Sequence, residues 1–233
     1  MNPWKGPSLL HPKFSAVLFD CDGVLVDSES ITNSVLRQML IELGWAISPE
    51  QCIEIFIGKA LKDQWQPILD QTGFRIDDQW ISQFRARRDE ALRSELQPIP
   101  GALEAVKQIS SVYGQNIACA TGADRAKVEM QLALAGFTEY FGDRVFSGME
   151  CPRSKPAPDV YLAAAASLGI DPAGALVIED TATGVAAGIA AGATVYGYSN
   201  GGPTSTSPEL LRAAGATQVF TSMDKLPALA SKQ

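Results

Sequence analysis

The sequence predicts an α/β fold: a parallel sheet flanked by helices and interrupted early by a helical insertion. Three observations carry that prediction. From residue 102 onward, short apolar runs alternate with stretches of helical periodicity, the mark of a parallel α/β sheet. Between residues 30 and 96 there is no convincing strand pattern, and apolar residues recur at helical spacing. Two apolar runs end in paired carboxylates: Ala16-Val17-Leu18-Phe19 before Asp20 and Asp22, and Ala175-Leu176-Val177-Ile178 before Glu179 and Asp180. Ligands of open α/β sheets bind just beyond the carboxyl ends of strands, where these acids fall.

Taken in order, Ala16 to Phe19 reads as a buried parallel strand. Gly23 lets the backbone turn tightly or approach a ligand. Cys21 alternates away from the flanking acids and reads as packing. Asp27 and Ser28 stand where caps of the next helix would stand. Ile31, Val35, Leu36, Met39, Leu40 and Leu43 keep helical spacing over residues 30–43, and Gly44 stops the helix. Ser48-Pro49-Glu50 starts another helix, and further helical patterns cover 61–71 and 77–94. Pro98 and Pro100-Gly101 punctuate the chain. The predicted organisation is a core of 1–28 and 97–233 with a helical cap of 29–96, joined by linkers near 28–30 and 95–99. Beyond the cap the expected helices are 102–112, 125–135, 159–168, 184–191 and 208–214, and the expected strands 116–120, 144–147, 175–178, 194–198 and 218–221. Residues 199–207 read as a loop, residues 1–13 as a loose lead-in, and Gly184, Gly188 and Gly192 as sites of close helix packing.

Composition excludes several classes. A formal charge of −7 over 233 residues argues against general nucleic-acid or membrane-surface binding. No apolar run approaches the ~20 residues of a membrane helix, and no signal-peptide core is present. Cys21, Cys52, Cys119 and Cys151 form no CxxC pair, so neither a zinc site nor a disulfide framework is expected. His11 is the sole histidine and lies in the lead-in, which speaks against Ser-His-Asp and Cys-His mechanisms. Acid/base work falls to carboxylates, lysine or water.

The polar residues at the strand ends form a pattern. Asp20-Cys21-Asp22-Gly23 opens it, and Thr121-Gly122 follows the strand Ile117-Ala118-Cys119-Ala120. A threonine there is a common turn former, yet its hydroxyl and the nearby N–H groups also suit a phosphoryl oxygen. Lys155-Pro156-Ala157-Pro158-Asp159 holds a lysine on a stretch stiffened by prolines, and Glu179-Asp180-Thr181-Ala182-Thr183-Gly184 closes the series. Like charges gathered around Asp20 and Asp22 call for a cation, and hard oxygen ligands suit Mg2+. Together these segments resemble the four ordered motifs of the haloacid dehalogenase-like (HAD) hydrolase superfamily, with Thr181 where serine is commoner. The resemblance runs from about Phe14 to the end of the chain. The insertion between the first and second motifs is similar to the C1-capped branch, which includes sugar-phosphate phosphatases and β-phosphoglucomutases.

The resemblance implies a Rossmann-like core under a C1-type cap and a Mg2+-dependent phosphatase. Asp20 is then the nucleophile, Asp22 the general acid/base, Thr121 and Gly122 phosphoryl ligands, and Lys155 a fixed positive charge. The metal would take Asp20, Asp180 and the backbone carbonyl of Asp22, whose side chain stays free, with Glu179 supporting it through water. The substrate would be a small phosphate ester such as a sugar or sugar-acid phosphate, 6-phosphogluconate among them. Lys59 or Lys62 in the cap loop would meet its leaving group, though both read equally as surface lysines. No nucleic-acid or membrane partner is expected; the protein would be a cytoplasmic monomer or weak dimer. β-Phosphoglucomutases carry a histidine where Thr32 stands here and an arginine near the position of Leu61, which speaks against mutase chemistry. A haloacid dehalogenase has no need of Asp22 or a metal cluster, and a non-catalytic phosphosugar-binding protein would have lost a catalytic position.

Overall fold

The structure is a computed structural model that describes residues 11–57 and 61–232. The chain enters through β1 (His11–Pro12) and reaches β2 (Ala16–Phe19), buried on both faces. Four helices follow: α1 (Glu29–Glu42), α2 (Pro49–Phe56), α3 (Trp65–Thr72) and α4 (Asp78–Glu95). Helix and strand then alternate through α5 (Ala102–Tyr113), β3 (Ile117–Thr121), α6 (Arg125–Leu134), α7 (Thr138–Phe141) and β4 (Val145–Ser147). The chain continues through α8 (Asp159–Ser167), β5 (Ala175–Glu179), α9 (Ala182–Ala190), β6 (Thr194–Tyr198), α10 (Pro208–Ala213) and β7 (Gln218–Phe220). It ends in α11 (Leu226–Leu229) and β8 (Ser231–Lys232).

Six strands form one parallel sheet in the order β4-β3-β2-β5-β6-β7. From β2 the chain builds outward in both directions, which makes the end of β2 a topological switch point and opens a crevice there. Strand alternation divides the apolar side chains between two layers. Val17 and Phe19 join one core with Ala105, Val106, Ile109, Phe137 and Phe141. Leu18 points the other way, against Val160, Tyr161, Ala164 and Val185. The expected α/β architecture is thus observed.

The helices inserted between β2 and β3 have a third core of their own, around Leu36, Leu40, Cys52, Phe56, Ile68 and Trp80. Ser48 caps α2 with a reciprocal capping box to Gln51. The two connections into and out of the insertion lie side by side: Asp27 N–H donates to the Gln97 carbonyl at 3.0 Å, and Ile99 N–H to that of Leu25 at 2.9 Å.

Some elements differ from expectation. The pattern over 61–71 divides into a 3₁₀ turn (Leu61–Asp63) and α3. Pro67 explains the break: one unbroken helix would place it in the interior, against the carbonyl of residue 63, whereas restarting at Trp65 leaves it in a first turn. Residues 1–10 of the expected lead-in lie outside the described residues, but His11–Pro12 is paired antiparallel with Ser231–Lys232. Gly188 does pack closely, against Val195 and Val177, whereas Gly192 serves a left-handed turn with φ of 88°. Neither Asp27 nor Ser28 caps α1 by a side-chain bond; the Ser28 hydroxyl donates to Asp22. All four cysteines are free, and among the described residues no helix is long and apolar enough to cross a membrane.

Candidate active site

Strand register assembles the site. Phe19 stands opposite Ile178 in β5 and Cys119 in β3, so Asp20 emerges beside Glu179 and close to Thr121. Asp20 N–H still donates to the Ile178 carbonyl at 3.0 Å, which fixes its backbone to the sheet. The chain then turns at Gly23, with φ of 76°; a Cβ there would collide with the Asp180 carboxylate.

Lys155 connects the acids. Its ammonium donates to Asp20 Oδ1 at 2.8 Å, Glu179 Oε1 at 2.7 Å and the Ala120 carbonyl at 3.2 Å, and lies over the Tyr161 ring. Burial opposes its charge, but Asp20 and Glu179 hold it protonated well above the usual lysine range. Glu179 is fully satisfied: Oε1 also accepts from the Tyr161 hydroxyl, and Oε2 from Asp180 N–H and from the N–H and hydroxyl of Thr181. Asp180 is the opposite case, since its buried Oδ1 has no hydrogen-bond partner among the described residues.

Carboxylate oxygens of Asp20, Glu179 and Asp180 lie within 4.8 Å of one another. Burial and mutual repulsion push Asp20 up to about 7 despite Lys155, and push Asp180 well above the usual range. An orphaned buried oxygen and two carboxyls resisting ionisation are what a divalent cation of the oxygen-binding kind would relieve. Asp20 and Asp180 offer the free electron pairs, while Glu179 is engaged by its own donors.

Asp22 faces a different environment. Lys127 Nζ donates to both its oxygens at 2.8 Å, Gln131 Nε2 to Oδ1 at 2.8 Å, and the Ser28 hydroxyl to Oδ1. Burial would raise this carboxyl, but Lys127 and the other donors bring it down to about 2. The Asp22 side chain does not enter the carboxylate cluster and is held instead by these three donors. Thr121 is buried, and its Oγ1 accepts from Ala123 N–H at 3.1 Å, so it both turns the chain and lines the site.

These groups form the floor of a cavity of about 310 Å³. The roof comes from the insertion and includes Thr32, Leu36, Phe56, Leu61, Ile81, Phe84 and Arg85. Arg88 of α4 joins roof to floor, pairing with Asp89 at 2.7 Å and with Asp124 at 3.2 Å, beside β3.

The sequence model of the haloacid dehalogenase-like hydrolase family matches residues 14–192, most of the chain and every strand-end acid just described. The chain belongs to that family. This HAD-like hydrolase is 30% identical to the plasmid phosphoglycolate phosphatase of Cupriavidus necator, over 92% of each chain. It is 28% identical to the 6-phosphogluconate phosphatase of Escherichia coli K12, covering 79% of this chain and 82% of that one. A crystal structure of a HAD family hydrolase from Deinococcus radiodurans R1, with bound phosphate and sodium, is similar at a TM-score of 0.76 and 34% identity, covering 93% of this chain and 95% of that one. Two Arabidopsis thaliana relatives are longer proteins, of which the chain spans 19% and 47%.

The HAD-like fold brings together Asp20, Asp22, Thr121, Gly122, Lys155 and Glu179 around one cavity, with Asp180 beside Asp20 and Glu179. Lys59 lies outside the described residues, as does the side chain of Lys62. Sequence reasoning missed Ser28, Lys127, Gln131 and Tyr161. A signal for two of them was present: Lys127 and Gln131 share spacing with the buried Val128 and Leu132, so two polar side chains sit on the face of α6 that packs inward.

Proposed function

We propose that the protein is a Mg2+-dependent phosphatase that hydrolyses a small phosphorylated metabolite, a sugar or sugar-acid phosphate, through an aspartyl-phosphate on Asp20. The carrying observation is Asp20 itself: a buried carboxylate at a strand end, 2.8 Å from the ammonium of Lys155, facing a cavity lined by both core and insertion. Family membership supports the reaction class, and the relatives named as phosphatases support the substrate class.

Asp20 attacks phosphorus, and the bond to the leaving oxygen breaks with its electron pair passing to that oxygen. Lys155 and Thr121 hold the phosphoryl oxygens, and Lys155 offsets repulsion between nucleophile and substrate. Asp22 gives its proton to the leaving oxygen. It then takes one from the water that attacks the aspartyl-phosphate, freeing Asp20 and inorganic phosphate. The base half suits Asp22 as it stands, ionised against Lys127. The acid half needs a proton on it, and a substrate phosphate beside it pushes in that direction. Mg2+ would be held by Asp20, Asp180 and the Asp22 backbone carbonyl, with Glu179 behind them, and would supply charge neutralisation at the phosphoryl group.

Residues 29–96 act as a cap over a core of 1–28 and 97–233 and exclude water. Thr32, where the mutases carry histidine, and Leu61, near their arginine position, both face this cavity, and neither offers mutase acid/base chemistry. The protein acts as a cytoplasmic monomer or weak dimer.

The test is phosphate release from a panel of phosphorylated sugars, sugar acids and small metabolites, with and without Mg2+. Release that needs the metal and disappears in Asp20→Asn is expected. A folded wild-type protein that releases phosphate from none of them refutes the reading.

A further inference from the structure

Four described cations line the cavity: Lys127, Lys155, Arg85 and Arg88. Three are committed. Lys155 is bound by Asp20 and Glu179, Lys127 by Asp22, and Arg88 by Asp89 and Asp124. Among the described residues Arg85 makes no such pair, so its guanidinium is the uncommitted positive charge of the cavity wall.

Its place on α4 shows that it belongs to the cavity. Ile81, Phe84, Arg85 and Arg88 all line the cavity and follow the i, i+3, i+4, i+7 spacing of one helical face. Arg87 leaves that face and pairs instead with Glu42 at 2.8 Å on the surface. Around Arg85 the roof is apolar, with Leu36, Phe56, Ile57, Leu61, Ile81 and Phe84. Arg85 itself is exposed to solvent at the edge of this roof. Lys155 and Thr121, the phosphoryl ligands, lie on the floor, and Arg85 lies on the roof.

We infer that Arg85 binds a second anionic group at the end of the substrate remote from the ester, so that the preferred substrates are phosphorylated carboxylic acids. This rests on the phosphatase reading and narrows it. The planar fork of arginine fits a carboxylate through two parallel hydrogen bonds, whereas a hydroxyl offers it one neutral acceptor. A cavity at the small end of the usual ligand-site range suits a short-chain acid.

The test uses matched pairs that differ only at the remote end: phosphoglycolate against 2-hydroxyethyl phosphate, and 6-phosphogluconate against glucitol 6-phosphate. The Mg2+-loaded enzyme should favour the acid of at least one pair in kcat/KM by about 10- to 100-fold, the span of a charged hydrogen bond. Arg85→Leu should bring that ratio near one by lowering the acid alone, and Arg85→Lys should restore part of it. Equal turnover of acid and alcohol by wild type, or an equal loss for both in Arg85→Leu, overturns the inference. Binding of the same pairs to Asp20→Asn, with and without Arg85→Leu, separates the two readings. An Arg85-dependent preference for the acid without turnover in wild type would sink the phosphatase and keep the anion site; its absence would sink the anion site.

Discussion

Replacing Lys127 with methionine is the perturbation whose size the structure defines best. Methionine keeps an unbranched chain and removes the charge. Asp22 sits at about 2 against an ordinary 3.8, so its native partners favour the ionised form over burial by close to two pKa units. At roughly 1.4 kcal/mol per unit this is about 2.5 kcal/mol, and Lys127 is foremost among those partners. The two side chains are 10% and 16% exposed, so solvent screening takes little of it. Breaking a buried pair from one side costs about 3–5 kcal/mol, and proton uptake by the stranded carboxyl recovers part of that. The expected loss is about 2–4 kcal/mol, read by urea unfolding of metal-free protein near neutral pH.

A cycle with Asp22→Asn and the double variant should show coupling of at least about 1.5 kcal/mol. Because the folded carboxyl titrates below the unfolded one, its contribution is present above about pH 4 and is lost as the pH falls toward 2. The gap between wild type and Lys127→Met should therefore narrow as the pH falls from about 4 toward about 2. A gap below about 0.5 kcal/mol, or one indifferent to pH, would refute the claim that Lys127 holds Asp22 ionised.

Asp20, up at about 7, and Asp180, raised well above the usual range, carry the opposite sign. In the metal-free protein they cost stability as the pH rises from about 4 through about 7, because the unfolded chain releases those protons first. Excess Mg2+ should raise Tm more at about pH 7.5 than at about pH 5.5, and Asp180→Asn should remove most of that difference; equal shifts at both pH values would contradict the cluster's role. Gly184→Ala would drive a Cβ into the Glu179 carboxylate, which five hydrogen bonds hold in place. A loss of about 1–3 kcal/mol in urea unfolding is expected, and an unchanged midpoint would show that Glu179 yields readily.

Much of the candidate site was legible because parallel strands advertise their ends. An apolar run four residues long that stops at Asp20, or at Glu179 and Asp180, marks where the sheet meets solvent, and the sheet order places those ends together. Pro67 was legible in principle as well, since its missing N–H already forbade an unbroken helix over 61–71. Ser28 and Tyr161 were not. Ser28 occupies a capping position in the sequence and gives its hydroxyl to Asp22 instead, while Tyr161 reaches Glu179 from a helix that reads as ordinary core.

The sequence by itself determined the alternation of strand and helix, the helical insertion, and which residue types stand at the strand ends. Those are local matters of periodicity, turn chemistry and side-chain charge. Only the tertiary structure decided how the charges are shared: that Lys155 divides itself between Asp20 and Glu179, that Lys127 belongs to Asp22, and that Asp180 keeps an oxygen without a partner among the described residues. A hydrogen bond or ion pair depends on a few ångströms between residues as far apart in the chain as Asp20 and Lys155, and on how deeply both are buried. Neither quantity exists until the sheet register and the seating of the helices are set.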